Sequence, residues 1–131
     1  MKTFEEAEKF FYQDHFAHDA TDITIVEFSE YYAKCKFDIK EKHLNVNGTV
    51  MGGAIFTLAD FTYAVASDSA AVSSSSSITY LNTSKGKTLF AEAKMIKDGR
   101  TTVFYEIKVY DDSGKDIAFV TMNGIKIPPK A

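Results

Sequence analysis

A chain of 131 residues, 45% apolar and 25% charged, has the size and composition of one globular domain with a real core. Its net charge of -3 and its single arginine, Arg100, argue against a nucleic-acid partner, because phosphate binding takes clustered positive charge. Cys35 is the one cysteine, which excludes an intramolecular disulfide and a CxxC metal site and suits a reducing compartment.

The start, Met1-Lys-Thr-Phe-Glu-Glu-Ala-Glu-Lys, is too charged for a signal peptide, and no apolar run reaches membrane-span length; a soluble cytoplasmic protein with no membrane partner is expected. Thr3 to about Ala17 reads as a helix, with Thr3 and Glu6 as a capping box and Phe4, Ala7, Phe10, Phe11 and Phe16 as its apolar stripe. His15 and His18 close it beside Asp14 and Asp19; the i, i+3 spacing can bind a metal, but no third ligand is evident, so surface histidines and no metal are expected.

Thr21–Phe28 and Tyr31–Lys40 read as strands. In the second, Ala33, Cys35, Phe37 and Ile39 alternate with Tyr32, Lys34, Lys36, Asp38 and Lys40, which gives a sheet with one dry and one wet face. Cys35 falls on the dry face, where a buried thiol is inert. Residues 43–51, with Asn45, Asn47 and Gly48, form a loop; His43 there has no assigned role. Gly53 to about Ala70 is the central helix, apolar almost all round as befits a helix wrapped by other structure. The Ser73–Ser77 run has linker composition but flows into Ile78-Thr-Tyr-Leu81 and is taken as the start of a third strand. Strands at Thr88–Ile96, Thr101–Tyr110 and Lys115–Ile127 follow, joined by Lys97-Asp-Gly-Arg100 and Asp111-Asp-Ser-Gly114 turns and stopped by Pro128-Pro129. The order predicts an α+β domain over residues 1–131: one curled antiparallel sheet around one long helix, with a short N-terminal helix.

Asp60 is the only charged residue between Thr49 and Ser67, and no Lys or Arg occurs between His43 and Ser84. Burying an unpaired carboxylate is expensive. Upstream, Gly52-Gly53 sits where a helix starts and presents free N–H groups. A lone acid and a bare helix N-terminus are two parts of an acyl-transfer site. Helix geometry separates Gly52 from Asp60 by about 12 Å, so the acid is expected to serve the helix start of a second subunit across a dyad.

The ordered set Asn45-x-x-Gly48-x-x-Met51-Gly52-Gly53-x-x-x-x-Leu58-Ala59-Asp60 resembles the signature of PaaI-like acyl-CoA thioesterases of the hotdog fold. The likeness continues through Ser73, Ile78-Thr-Tyr-Leu81, Ser84-Lys-Gly86, Lys97-x-Gly99-Arg100-Thr101 and Gly114-Lys115. The resemblance implies an acyl-CoA thioester substrate, no separate cofactor beyond the coenzyme A of that substrate, and a homodimer; a dimer of dimers is the expected assembly, with the polar face of Lys34, Lys36 and Lys40 either a subunit contact or solvated. It implies Asp60 as general base or nucleophile, the Gly52 and Gly53 amides on the carbonyl oxygen, Asn45 orienting carbonyl or water, and Ser73 holding the water. It also implies the Lys97, Gly99, Arg100 and Thr101 turn near the coenzyme A phosphates. Met51 stands where the family usually has His, and a thioether can neither donate a hydrogen bond nor carry charge.

Plainer readings stand beside these. Gly52-Gly53 can be a tight junction, Asp60 an acid bonded to Thr57 or Ser67, Asn45 a turn former, Ser73 a polar strand edge, and Lys97–Thr101 a solvated hairpin. The 7 Tyr and 11 Phe suit an aryl or medium-chain acyl pocket or simply the core. A non-catalytic acyl-CoA sensor is the alternative that Met51 favours. A hotdog dehydratase is disfavoured, because no His lies in or next to the central helix.

Overall fold

A computed structural model describes residues 1–128; of the proline pair expected to stop the chain, Pro128 follows the last strand and Pro129 lies outside the described residues. Six antiparallel strands form one sheet: β1 Thr24–Ser29, β2 Tyr32–Asp38, β3 Ala71–Tyr80, β4 Thr88–Asp98, β5 Thr102–Asp111 and β6 Asp116–Lys126, in the order β1-β2-β4-β5-β6-β3. The helices are α1 Phe4–Phe11, α2 His15–Thr21 and α3 Gly52–Ala66, with a 3-10 turn at Glu41–His43. The curled sheet packs its dry face on α3, as the sequence order requires.

The expected N-terminal helix is in fact two. Thr3 and Glu6 make the capping box, but the chain turns at Tyr12–Asp14 and restarts as α2, which ends on Asp22 at φ 57°. Thr21, expected to open a strand, therefore ends a helix. The break divides the apolar stripe: Ala7 and Phe11 are buried, whereas Phe4, Phe10 and Phe16 are exposed. Phe11 meets Phe61 of α3 edge-on at 6.4 Å. His15 bonds Asp19, whereas His18 bonds the Ile23 carbonyl and stacks on Tyr12.

The alternation in β2 holds: Ala33, Cys35 and Phe37 are buried, and burial pushes the Cys35 thiol up to about 12. The strand stops at Asp38, two residues before the expected Lys40. β3 begins at Ala71, and its serines, Ser73–Ser77, are strand rather than linker. Helix α3 begins at Gly52 and ends at Ala66, four residues short of expectation, because Asp68 and Ser69 take positive φ values of 52° and 58°. Its inward face, Ile55, Leu58, Ala59, Phe61, Thr62, Tyr63, Val65 and Ala66, is buried.

One face of this architecture is unfinished. Edge strand β3 bonds β6 on one side only, and Val72–Ser77 are exposed on both faces. The strand contains no Lys, Pro or other charge to blunt that edge, which is interrupted only by a bulge between Ser73 and Ser75. Helix α3 likewise turns Gly53 and Asp60 outward.

A second feature fixes the loop that follows β3. Asp111, 2% exposed, accepts from the Ser84 hydroxyl, the Ser113 amide and hydroxyl, and the Lys115 amide. Asp112 accepts from the Lys87 and Thr88 amides, and a side chain on Gly86 would collide with the Asp112 carboxylate. The Ser84-Lys-Gly86 and Gly114-Lys115 pieces of the motif are thus a lock on the 81–87 loop. Hydrogen bonds, led by that from Ser113, hold the Asp111 carboxyl below its usual range. Its contribution to stability is therefore full above the unfolded carboxylate value and lost as pH falls through the folded one. Asp111→Ala is expected to cost about 2–4 kcal/mol in urea unfolding at neutral pH, and the gap to wild type should narrow below about pH 4.

Candidate active site

Helix α3 starts without a side-chain cap: Met51 holds the N-cap position. Ala54 and Ile55 donate to the Met51 carbonyl and Met51 to that of His43, whereas the Gly52 and Gly53 amides find no acceptor among the described residues. Two N–H groups therefore point out of the helix start, where the peptide dipoles add positive potential. The preceding loop is held rigidly. His43 is buried, stacked on Phe37 at 4.1 Å, and its Nδ1 accepts from the Lys40 amide while Nε2 reaches the Thr21 carbonyl at 2.8 Å. Leu44 and Val50 pair across the loop base. Asn45 is engaged within that loop: its Oδ1 accepts from the Asn47 and Thr49 amides and its Nδ2 donates to Thr49.

Tyr80, which the sequence reading left without a role, reaches this helix start from the end of β3. Its hydroxyl donates to the Gly52 carbonyl at 2.9 Å. A side chain added to Gly52 would meet the Tyr80 ring at 3.0 Å, whereas one on Gly53 would meet only the Met51 methyl at 3.9 Å. The available signal was the glycine pair itself, since a glycine at a helix start implies that something approaches the backbone closely. Beside it lies a cavity of about 480 Å³ lined by Val50, Gly52, Tyr80, Leu81, Thr83 and Ser84, its far wall being the locked 81–87 loop.

Asp60 lies on the outward face of α3 and is solvent-accessible in the single chain. The hydroxyls that could have satisfied it are used elsewhere, Thr57 on the Gly53 carbonyl and Ser67 on the Ala64 carbonyl. Crowding by surrounding protein atoms, then the charge of Asp14, raises the Asp60 carboxyl above its ordinary value. No cation among the described residues offsets this.

The remaining candidates lie toward the other end of α3. Ser73 is exposed on β3 opposite Gly124, at a bulge. The Lys97–Thr101 turn adjoins the end of α3: Gly99 donates to the Thr102 carbonyl, Lys126 to that of Thr101 and Ile127 to that of Ala70. Lys97 and Arg100 are exposed there. A cavity of about 300 Å³ between Ser67, Ala71, Met95, Val103 and Tyr105 marks this end. The chain alone therefore divides the candidates, with Asn45, Met51, Gly52 and Gly53 at the start of α3, Ser73 and the turn at its end, and Asp60 between.

Known proteins fit this geometry. A family profile described as Thioesterase superfamily matches residues 47–118, the stretch that carries the helix, the serine strand and the hairpins. A putative esterase of Archaeoglobus fulgidus is 36% identical over 118 residues, covering 87% of this chain and 77% of its own. The acyl-coenzyme A thioesterase PaaI of Escherichia coli K12 is 31% identical over 111 residues, covering 82% and 79%. The structure of E. coli PaaI, from the phenylacetic acid degradation operon, superimposes with a TM-score of 0.86 over 98% of this chain and 99% of that one, at 25% identity. A Streptococcus mutans UA159 protein bound to acetyl-CoA gives a TM-score of 0.77 at 29% identity, over 83% and 91%. The fold is the hotdog.

The two glycines are expected to differ on substitution. Gly52→Ala must push the Tyr80 ring aside and should lower stability by about 1 kcal/mol, the worth of its hydrogen bond. Gly53→Ala should melt with the wild type in the same thermal scan.

Proposed function

Since the chain belongs to the Thioesterase superfamily and is a thioester hydrolase, we propose that its substrate is an acyl-coenzyme A, cleaved at two sites shared across a homodimer. The observation that carries this reading is the pairing of two bare amides at the start of α3 with an unpaired acid that one chain cannot bring to them. Antiparallel pairing of edge strand β3 with a second copy would cover its exposed serines and lay the two α3 helices side by side in opposite directions. Each Asp60 then faces the other protomer's Gly52 and Gly53, and Ser73 and the Lys97–Thr101 turn approach the same site. The outer sheet face, where Tyr32 and Tyr110 both donate to Glu92 beside Lys34 and Lys108, is the surface left for a dimer of dimers.

The chemistry follows from the parts. The thioester carbonyl oxygen accepts from the glycine amides, which stabilise the charge that develops on it. Asp60, its carboxyl raised by desolvation, takes a proton from a water held by Ser73 as the water oxygen bonds the carbonyl carbon. Collapse of the tetrahedral oxyanion breaks the C–S bond, and the proton passes from Asp60 to the departing coenzyme A sulfur. The products are a carboxylic acid and coenzyme A. Lys97 and Arg100 supply the positive charge that its phosphates need. The 7 Tyr and 11 Phe of the chain suit an aryl or medium-chain acyl group.

A thiol-release assay over a panel of acyl-CoAs tests the reading. Asp60→Asn and Asp60→Ala should lose about a thousandfold or more in kcat. The wild-type rate should fall as pH drops through an apparent value above that of an ordinary Asp. Because ionised Asp60 is disfavoured in the fold, its penalty is full above the folded value, and Asp60→Asn should be more stable than wild type at neutral pH. Hydrolysis that persists in Asp60→Asn would refute the assignment.

Complementation tests the sharing. Gly53→Pro deletes one amide in the first turn of α3, where proline is tolerated. Unfolded and refolded together, equal amounts of Gly53→Pro and Asp60→Asn should recover about a quarter of wild-type activity, since half the dimers are mixed and each mixed dimer holds one intact site. No recovery would mean that each chain works alone.

A further inference from the structure

The Gly52 carbonyl that Tyr80 bonds and the Gly53 N–H are the two ends of one peptide group. We propose that Tyr80 is a positioning residue for catalysis, holding and polarising the Gly53 amide that receives the thioester oxygen. The inference rests on the thioester-hydrolase reading above and adds a residue to it.

Three observations converge on it. The hydroxyl-to-carbonyl distance is 2.9 Å. The Gly52 carbonyl is also placed to accept the Phe56 amide within the helix, so Tyr80 supplies a second donor to the same oxygen. Withdrawing electron density at the oxygen makes the N–H at the other end of that peptide a stronger donor, because hydrogen bonds in a chain polarise one another. The Tyr80 ring also occupies the space of the missing Gly52 side chain, with its atoms 3.0 Å from where a Cβ would stand. The ring thus prevents the peptide from rocking toward the cavity. Finally, Tyr80 is half exposed and lines the cavity at the helix start, so the bond serves no buried polar group and the core does not need it.

The chain of support runs outward from there. Tyr80 is the last residue of β3 and pairs with Ala118 of β6. The next residue, Leu81, donates to the Ile117 carbonyl at 2.8 Å, and beyond it the loop is locked by Asp111 through Ser84. The phenol is therefore presented by rigid backbone on both sides. A tyrosine is suited to this: it reaches across the cavity mouth with only two rotatable side-chain bonds to fix.

Tyr80→Phe removes the hydroxyl and keeps the ring. With the acyl-CoA that wild type turns over best, kcat should fall about three- to tenfold, the worth of one such hydrogen bond, with KM changed less than about twofold. In an Asp60→Asn background that stalls turnover, the infrared carbonyl stretch of the bound thioester should lie at higher frequency in Tyr80→Phe than with Tyr80 present, since its acceptor bond is weaker. A purely structural tyrosine would leave that frequency unmoved, whatever the change in melting temperature. Equal kcat and an unshifted carbonyl in Tyr80→Phe would overturn the inference while leaving the hydrolase reading intact. A wild type that cleaves no acyl-CoA would overturn both.

Discussion

The constraint on which the rest depends is that two peptide N–H groups at the start of α3 have no acceptor among the described residues. Helix starts ordinarily satisfy such groups with a Ser, Thr, Asp or Asn cap. Here the cap position holds Met51, and the loop before it spends its polar side chain, Asn45, on its own turn. The fold spends several devices keeping those donors bare and still: a buried histidine bonded at both ring nitrogens beneath the loop, a tyrosine on the adjoining carbonyl, and a locked loop across the cavity. Preorganised donors of this kind stabilise a developing oxyanion because they need no reorganisation when charge appears.

In the proposed site Asp60 is the complementary half. An ionised carboxylate without a cation or hydrogen bond costs stability, and desolvation registers that cost as a raised pKa. Stable folds tolerate such groups chiefly where chemistry uses them. About 12 Å of helix separates it from Gly52, so in the proposed dimer the acid serves a neighbour running the other way. The same conclusion follows from β3, whose ten residues carry no charge and leave one edge open. A monomer with such an edge would be prone to aggregate; in the proposed dimer, pairing that edge would complete the sheet and the site together.

Much of this was legible in the chain. The alternation through Ala33, Cys35 and Phe37 specified a half-buried strand, because side chains alternate faces with period two. The glycine and aspartate turns marked the hairpins, and the isolation of Asp60 among apolar residues marked it as the candidate acid. The boundaries that failed were those set by tertiary contact. The N-terminal helix breaks after Phe11, whose ring docks on Phe61, and α3 stops at Ala66 ahead of two residues in left-handed backbone.

Local periodicity and the uneven distribution of charge were enough to place the long helix, most of the strands and the dry face of the sheet, and to single out Asp60 and Gly52-Gly53 as candidates, since each of these depends on residues close in sequence. Only the tertiary structure decided which hydroxyls are left for Asp60, that Tyr80 bonds the Gly52 carbonyl from 28 residues away, and that the candidates divide between the two ends of α3. Those facts depend on contacts between distant segments, and side-chain pattern carries no record of which distant backbone group a hydroxyl will meet.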